Sequence, residues 1–143
     1  MKLGFSGTRH GMTQRQRNVF TNYIKRERPT ILDHGGCIGG DAQAHAITRY
    51  VLRLACLVNV WPTDGEWCAR IPESEGVVVH DPMPPLDRNR VIVNRVDVMF
   101  IAPLTAFEQI RSGTWATYRY ARTVGRQVIV CTPEGELREV CDV

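Results

Sequence analysis

Lysine is nearly missing from this 143-residue chain: Lys2 and Lys25 are the only two, against 16 arginines, and the net charge is just +3. That charge is too small to support nucleic-acid binding by itself, since such binding draws on an extended basic surface. The arginines fit either a solvated surface or bidentate contacts with phosphate. The five cysteines, at positions 37, 56, 68, 131 and 141, form no CxxC pair and no zinc-ligand spacing. Neither a disulfide framework nor a structural metal is therefore expected. His10, His34, His45 and His80 likewise lack metal spacing. No apolar run reaches the ~18 residues needed to cross a membrane, and a strand begins at once without a basic leader, so a cytoplasmic location and no membrane partner are expected. Internal repeats and low-complexity runs are absent too.

With 43% hydrophobic and 23% charged residues the composition is that of an ordinary globular protein. We expect one domain over 1–143, because a chain of this length buries about two-thirds of its unfolded surface unaided. Lys2 to Ser6 reads as a first strand, followed by a helix from Thr13, its N-cap, to Arg28. Thr30 to Asp33 is a second strand. Asp41 then N-caps a helix to Ala55, whose Ala46, Ile47, Tyr50, Val51 and Leu54 face the sheet. Cys56 to Trp61 is a third strand, with Cys56 and Cys131 read as small core residues. The stretch from Thr63 to Pro85 is a loop excursion with a short strand at Val77 to Val79. Alternation resumes with a helix from Leu86 to Arg95, a strand from Val96 to Ala102, a helix from Gly113 to Val124 and a strand from Gln127 to Cys131. A short edge strand closes the chain at Glu136 to Val140. Such alternation predicts an α/β, Rossmann-like three-layer domain with a mainly parallel sheet of about five strands and helices on both faces.

Three small-residue turns follow strand ends: Ser6-Gly7-Thr8-Arg9, the His34 to Asp41 loop with Gly35, Gly36, Gly39 and Gly40, and Ser112-Gly113-Thr114. In a parallel sheet, ligands bind beyond the carboxyl ends of the strands where strand order reverses. With the first strand central, the three turns would converge there and aim three helix N-termini at one anion. Arg88 and Asn89 open a helix that overhangs the same crevice. The ligand-binding candidates are thus Ser6, Gly7, Thr8, Arg9, Gly35, Gly36, Gly39, Asp41, Arg88, Asn89, Ser112, Gly113 and Thr114. Trp61 and Trp67 read as packing residues, with Trp67 placed to stack on a base.

HGGCIGGDAQAHA, DRNRVIVNRVDVMFIAP and RSGTWATYRYARTVGRQVIVCTP, in that order and spacing, resemble the SLOG superfamily. That superfamily joins the Smf/DprA DNA-processing proteins to the Lonely Guy phosphoribohydrolases, and the likeness runs from Leu3 to Pro133. It implies a Rossmann-like domain that binds a phosphorylated nucleotide or a nucleotide-derived signal, as sensor or sequestering protein, with no cofactor and with homo-oligomers common. A second implication is nucleotide N-glycosidase activity. Lonely Guy enzymes use an arginine in a motif like RKxxM, matched by Arg88-Asn89, and a glutamate in PGGxGTxxE. Thr117 stands at the glutamate's place, so catalysis would need a relocated carboxylate, for which Asp41 and Glu108 are the candidates. Single-stranded DNA binding, as in DprA, is the least supported implication given the mild charge.

Overall fold

The computed structural model describes residues 1–140; Cys141 lies outside the described residues. The sheet is built from β1 (Lys2–Gly7), β2 (Ile31–His34), β3 (Leu57–Val60), β4 (Val77–Val79), β5 (Val98–Ala102), β6 (Gln127–Cys131) and β7 (Leu137–Val140). Its order is β4-β3-β2-β1-β5-β6-β7. All neighbours are parallel except β6 and β7, which pair antiparallel after a tight turn. The sheet therefore has seven strands rather than about five, because the short Val77–Val79 run pairs with β3 at one edge and the C-terminal strand folds back on β6 at the other. The chain moves outward from β1 to β4, then crosses back to place β5 on β1's free side, with Gly7 opposite Ala102. That reversal leaves a crevice beyond the carboxyl ends of β1 and β5.

Four helices cover the sheet: α1 (Gln14–Glu27), α2 (Gly40–Leu52), α3 (Pro85–Arg95) and α4 (Gly113–Thr123). On one face Phe20, Tyr23 and Ile24 of α1 and Ala44 and Leu52 of α2 pack on Leu3, Phe5, Leu32, Val58 and Phe100. On the other, Ile92 and Val93 of α3 and Trp115, Tyr118 and Ala121 of α4 pack on Met99, Ile101, Val128 and Val130. Phe5, Phe20, Tyr23 and Phe100 form an aromatic cluster with ring centroids 5.1 to 6.1 Å apart. Cys56 and Cys131 are fully buried in the first core, as the sequence predicts.

Thr13 caps α1 through a capping box with Gln16. The buried Gln16 amide also donates to the carbonyls of Pro103 and Cys131, which fastens the start of α1 to the ends of β5 and β6. Two expectations are corrected on α2. The helix starts at Gly40, so Asp41 is its second residue rather than its cap, and Gly39 occupies the cap position with no side-chain bond. Its buried face is Asp41, Ala44, Thr48 and Leu52, whereas Tyr50 and Leu54 are exposed. Of the five residues expected to face the sheet, Ile47 and Val51 pack partly buried against the first core while Ala46, Tyr50 and Leu54 are exposed, and small and polar side chains let α2 lie close to β1 and α1.

Candidate functional site

At the β1/β5 crevice lies a cavity of about 590 Å3. The structure brings together there Ser6, Gly7, Thr8, Arg9, Gly35, Asp41, Arg88, Asn89, Ser112, Gly113 and Thr114. Gly36 and Gly39 do not line it. Gly36 faces a smaller cavity on the outer side of the glycine loop, and Gly39 is pressed against the backbone of the first turn. Glu108 is also outside, half-exposed and 3.5 Å from Arg119. The helix starts that reach the cavity belong to α2, α3 and α4. That of α1 is turned away, its cap Thr13 donating to the carbonyl of Pro133.

Arg88 is 7% exposed and holds the inner wall. Its Nη1 donates to the carbonyls of Gly35 (2.6 Å) and Trp61 (3.2 Å), and its Nε donates to Asn89 Oδ1 (2.7 Å). The guanidinium passes so close to the loop that a Cβ on Gly35 would sit 2.2 Å from Nη1. Only glycine permits that approach. The Cys37 sulfur lies 3.8 Å from Nη1 and from Nη2.

Asp41 is the unexpected residue. Its Oδ2 accepts the Cys37 N–H at 3.2 Å, and the N–H groups of Gly7 and Gly35 together with the Arg88 charge favour its ionised form. Burial outweighs them and pushes its carboxyl up to about 6. The Oδ1 atom is buried without a hydrogen-bond partner among the described residues. The glycine loop and the start of α2 thus already surround an anion, and that anion is the protein's own. A ligand phosphate beside Asp41 would meet like charge, whereas a hydroxyl or amide donor would satisfy the orphaned oxygen. The open N-terminus is that of α4. There Ser112 Oγ accepts the Trp115 N–H, while Gly113 and Thr114, the first helical positions, have no carbonyl one turn below to bond. A Cβ on Gly113 would meet nothing within 4 Å.

Several lining residues escape a reading by motif. Arg111 precedes the Ser112 turn, and His10 follows Arg9. The Arg9 guanidinium lies 4.0 Å over the Trp67 ring, so that face of Trp67 is taken and not open to a base. Thr117 lines the cavity, and among the described residues Asp41 is the only carboxylate that does. The remaining signal was sequence adjacency: Arg111, His10 and Cys37 all sit inside or beside the three small-residue turns.

Behind the loop His34 is fully buried. Its Nδ1 accepts the Gly36 N–H (2.9 Å), so the neutral ring carries its proton on Nε2 and donates to His45 Nδ1 (2.9 Å). Burial, then the charges of His45 and Arg88, holds the His34 imidazole down to about 3. The unfolded chain takes up a proton that the folded one refuses, so this group makes stability fall as pH drops from 6.5 toward about 3. Asp41 acts in reverse, its contribution growing as pH falls from about 6 to 3.8. Thermal melts across this range are expected to show a shallower acid slope in His34→Asn than in the wild type; equal slopes would reject the assignment.

No protein-family model matches the chain, and no curated protein matches its sequence. Solved structures do share its fold. The molybdenum cofactor binding protein from the phototrophic bacterium Rippkaea orientalis matches with a TM-score of 0.64 at 18% identity, over 90% of this chain and 74% of that one. DNA processing protein A (DprA) from Streptococcus pneumoniae matches at 0.64 and 19% identity, over 90% of this chain. The chain spans about half of that DprA chain, 49%. The Moco carrier protein from Chlamydomonas reinhardtii matches at 0.58 and 15% identity, over 90% and 74%. The chain therefore shares the Rossmann-like α/β fold of these structures. Among the described residues no helix is long and apolar enough to cross a membrane.

Proposed function

We propose that this protein binds a phosphorylated nucleotide or a nucleotide-derived ligand and holds it, as a sensor or sequestering protein. The observation that carries the reading is one cavity lined both by the helix N-terminus at Ser112 to Thr114 and by Asp41, whose buried Oδ1 has no hydrogen-bond partner among the described residues. The phosphate goes to the N–H groups at the start of α4, joined by Arg9 and Arg111. A hydroxyl of the ligand goes to Asp41 Oδ1. Pro85, Leu104 and Met99 offer apolar surface to the rest of the molecule. A volume of about 590 Å3 suits a ligand of nucleotide size. Sensor and sequestering protein share this chemistry, and the cytoplasm and a homo-oligomer remain the expected setting.

The test is to release and identify by mass spectrometry any small molecule carried through purification, then titrate nucleoside monophosphates. Two fold relatives are named for the molybdenum cofactor, so that cofactor belongs in the panel. In Gly113→Val the new side chain enters open space at the start of α4. The expected result is at least about tenfold weaker binding, roughly 1.4 kcal/mol, with an unchanged melting temperature. Wild-type affinity in that variant would remove the phosphate from α4.

One observation favours a second reading, an N-glycosidase. With its carboxyl raised to about 6, Asp41 retains a protonated fraction near neutral pH in the cavity lining, which supports a role as general acid for a departing base. Free base released from a nucleoside monophosphate, and lost in Asp41→Asn, would establish it; full recovery of intact ligand leaves binding alone. DNA binding has no comparable observation in its support.

A further inference from the structure

Cys37 in the glycine loop and Cys68 in the segment 62–70 form an isolated antiparallel bridge. The hydrogen bonds run from Ile38 N–H to the Trp67 carbonyl and from Ala69 N–H to the Gly36 carbonyl, each 2.8 Å. They flank the two cysteines, which therefore occupy a non-hydrogen-bonded pair, the position where opposed residues come closest, with Cα atoms about 4.5 Å apart. A disulfide needs Cα atoms about 4.4 to 6.8 Å apart. Both thiols are free and partly accessible. They are also close enough for charge on Cys68 to bear on Cys37.

We propose that Cys37 and Cys68 are a reversible oxidation site, a thiol pair that closes to a disulfide under peroxide and fastens the 62–70 segment to the wall of the cavity. Cys68 opens the reaction. Its sulfur accepts the Arg70 N–H at 3.4 Å, which fixes its direction beside the bridge. Arg70 presents that N–H from a left-handed backbone, φ 52°, rare for a residue with a Cβ. Cys37 is the resolving thiol, its sulfur 3.8 Å from both Nη atoms of Arg88 and its thiol pushed up by burial. The Cys68 thiolate attacks one oxygen of hydrogen peroxide, the O–O bond breaks, and the other oxygen leaves as water, giving a sulfenic acid. The Cys37 sulfur then attacks the Cys68 sulfur, the S–O bond breaks, and a second water departs. Two electrons and two protons pass from the thiols to the peroxide, and a thiol reductant reverses the change. In a reducing compartment a disulfide of this kind is transient and serves as a signal, not a staple. The consequence is mechanical: Thr63 and Trp67, both in the cavity lining, lie on the tethered segment.

The experiment treats the purified full chain with hydrogen peroxide, blocks remaining thiols under denaturing conditions and counts the labels. The expected result is a fall from the five cysteines of the sequence to three, with a peptide joining Cys37 to Cys68 and reversal by dithiothreitol. Hydrogen exchange at the Ile38 and Ala69 amides slows at least about tenfold in the oxidised form, as expected for a cross-linked bridge. In Cys37→Ser and Cys68→Ser, each checked for folding by its melt, the joined peptide and the slowed exchange both vanish. The proposal is overturned if Cys68 proceeds to sulfinic acid with Cys37 still free. Joining of other cysteines, or unchanged exchange at the two amides, overturns it as well.

Discussion

Arg88→Ala is expected to lose about 3 to 5 kcal/mol of folding stability, the cost typical of removing one partner from a buried charged cluster. The carbonyls of Gly35 and Trp61 lose their donor, the Asn89 side chain loses its contact, and the Asp41 carboxylate keeps its burial but loses its counter-charge. Arg88→Lys is expected to recover only part of the loss, because one ammonium does not replace a fork that reaches three acceptors in two directions. Chemical denaturation of Arg88→Ala, Asp41→Asn and the double variant measures the coupling. The double variant is expected to be more stable than the sum of the single losses predicts, since removing Asp41 removes the charge that Arg88 compensates. Strict additivity would mean that the two side chains do not act on one another. Ligand affinity is expected to fall as well, but through collapse of the wall and not through a lost phosphate contact, because the Arg88 donors are engaged with the protein.

Gly39→Ala is the second large effect. Gly39 has φ +85°, and a Cβ there would lie 2.3 Å from the Arg9 carbonyl oxygen and 2.7 Å from that of Thr8. Both obstacles are backbone and cannot rotate away. They belong to the turn whose Thr8 carbonyl accepts the Gly40 N–H at 2.9 Å, so the methyl group separates two of the three turns that define the cavity. A loss above about 3 kcal/mol is expected, a fall in melting temperature on the order of 10 °C for a chain of this size. Differential scanning calorimetry of Gly39→Ala beside Gly113→Val makes the contrast: the first is expected to lose the fold's stability and the second only the ligand. A wild-type melt for Gly39→Ala would mean that the two loops are not in contact in solution.

Most of the architecture was legible because its signals are local. The Thr13 cap, the limits of β6 and the start of α4 at Gly113 follow from side chains a few positions apart, and the parallel sheet follows from the alternation of strands and helices, with β1 between β2 and β5 as assumed. The strand count was short because edge pairing depends on what lies beside a three-residue run, not on the run itself. Asp41 shows the same limit within the site. An acid after two glycines reads as a helix cap, yet the conformation of Gly39 starts the helix earlier and turns the carboxylate into the loop. Burial raises its carboxyl against the opposing charge of Arg88, and neither is visible from the neighbouring residues. Glu108, close to the Ser112 turn in sequence, faces Arg119 instead.

The internal anion at Asp41 also bears on what an incoming ligand has to do. Loops that gather around a bound phosphate commonly order only when it arrives, and part of the binding energy is consumed in ordering them. Here the amides of the glycine loop are already drawn together around a carboxylate carried by the same chain. The glycine-loop wall of the cavity is thus shaped by the chain's own carboxylate, and the ligand proposed for it would spend none of its binding energy on ordering that loop.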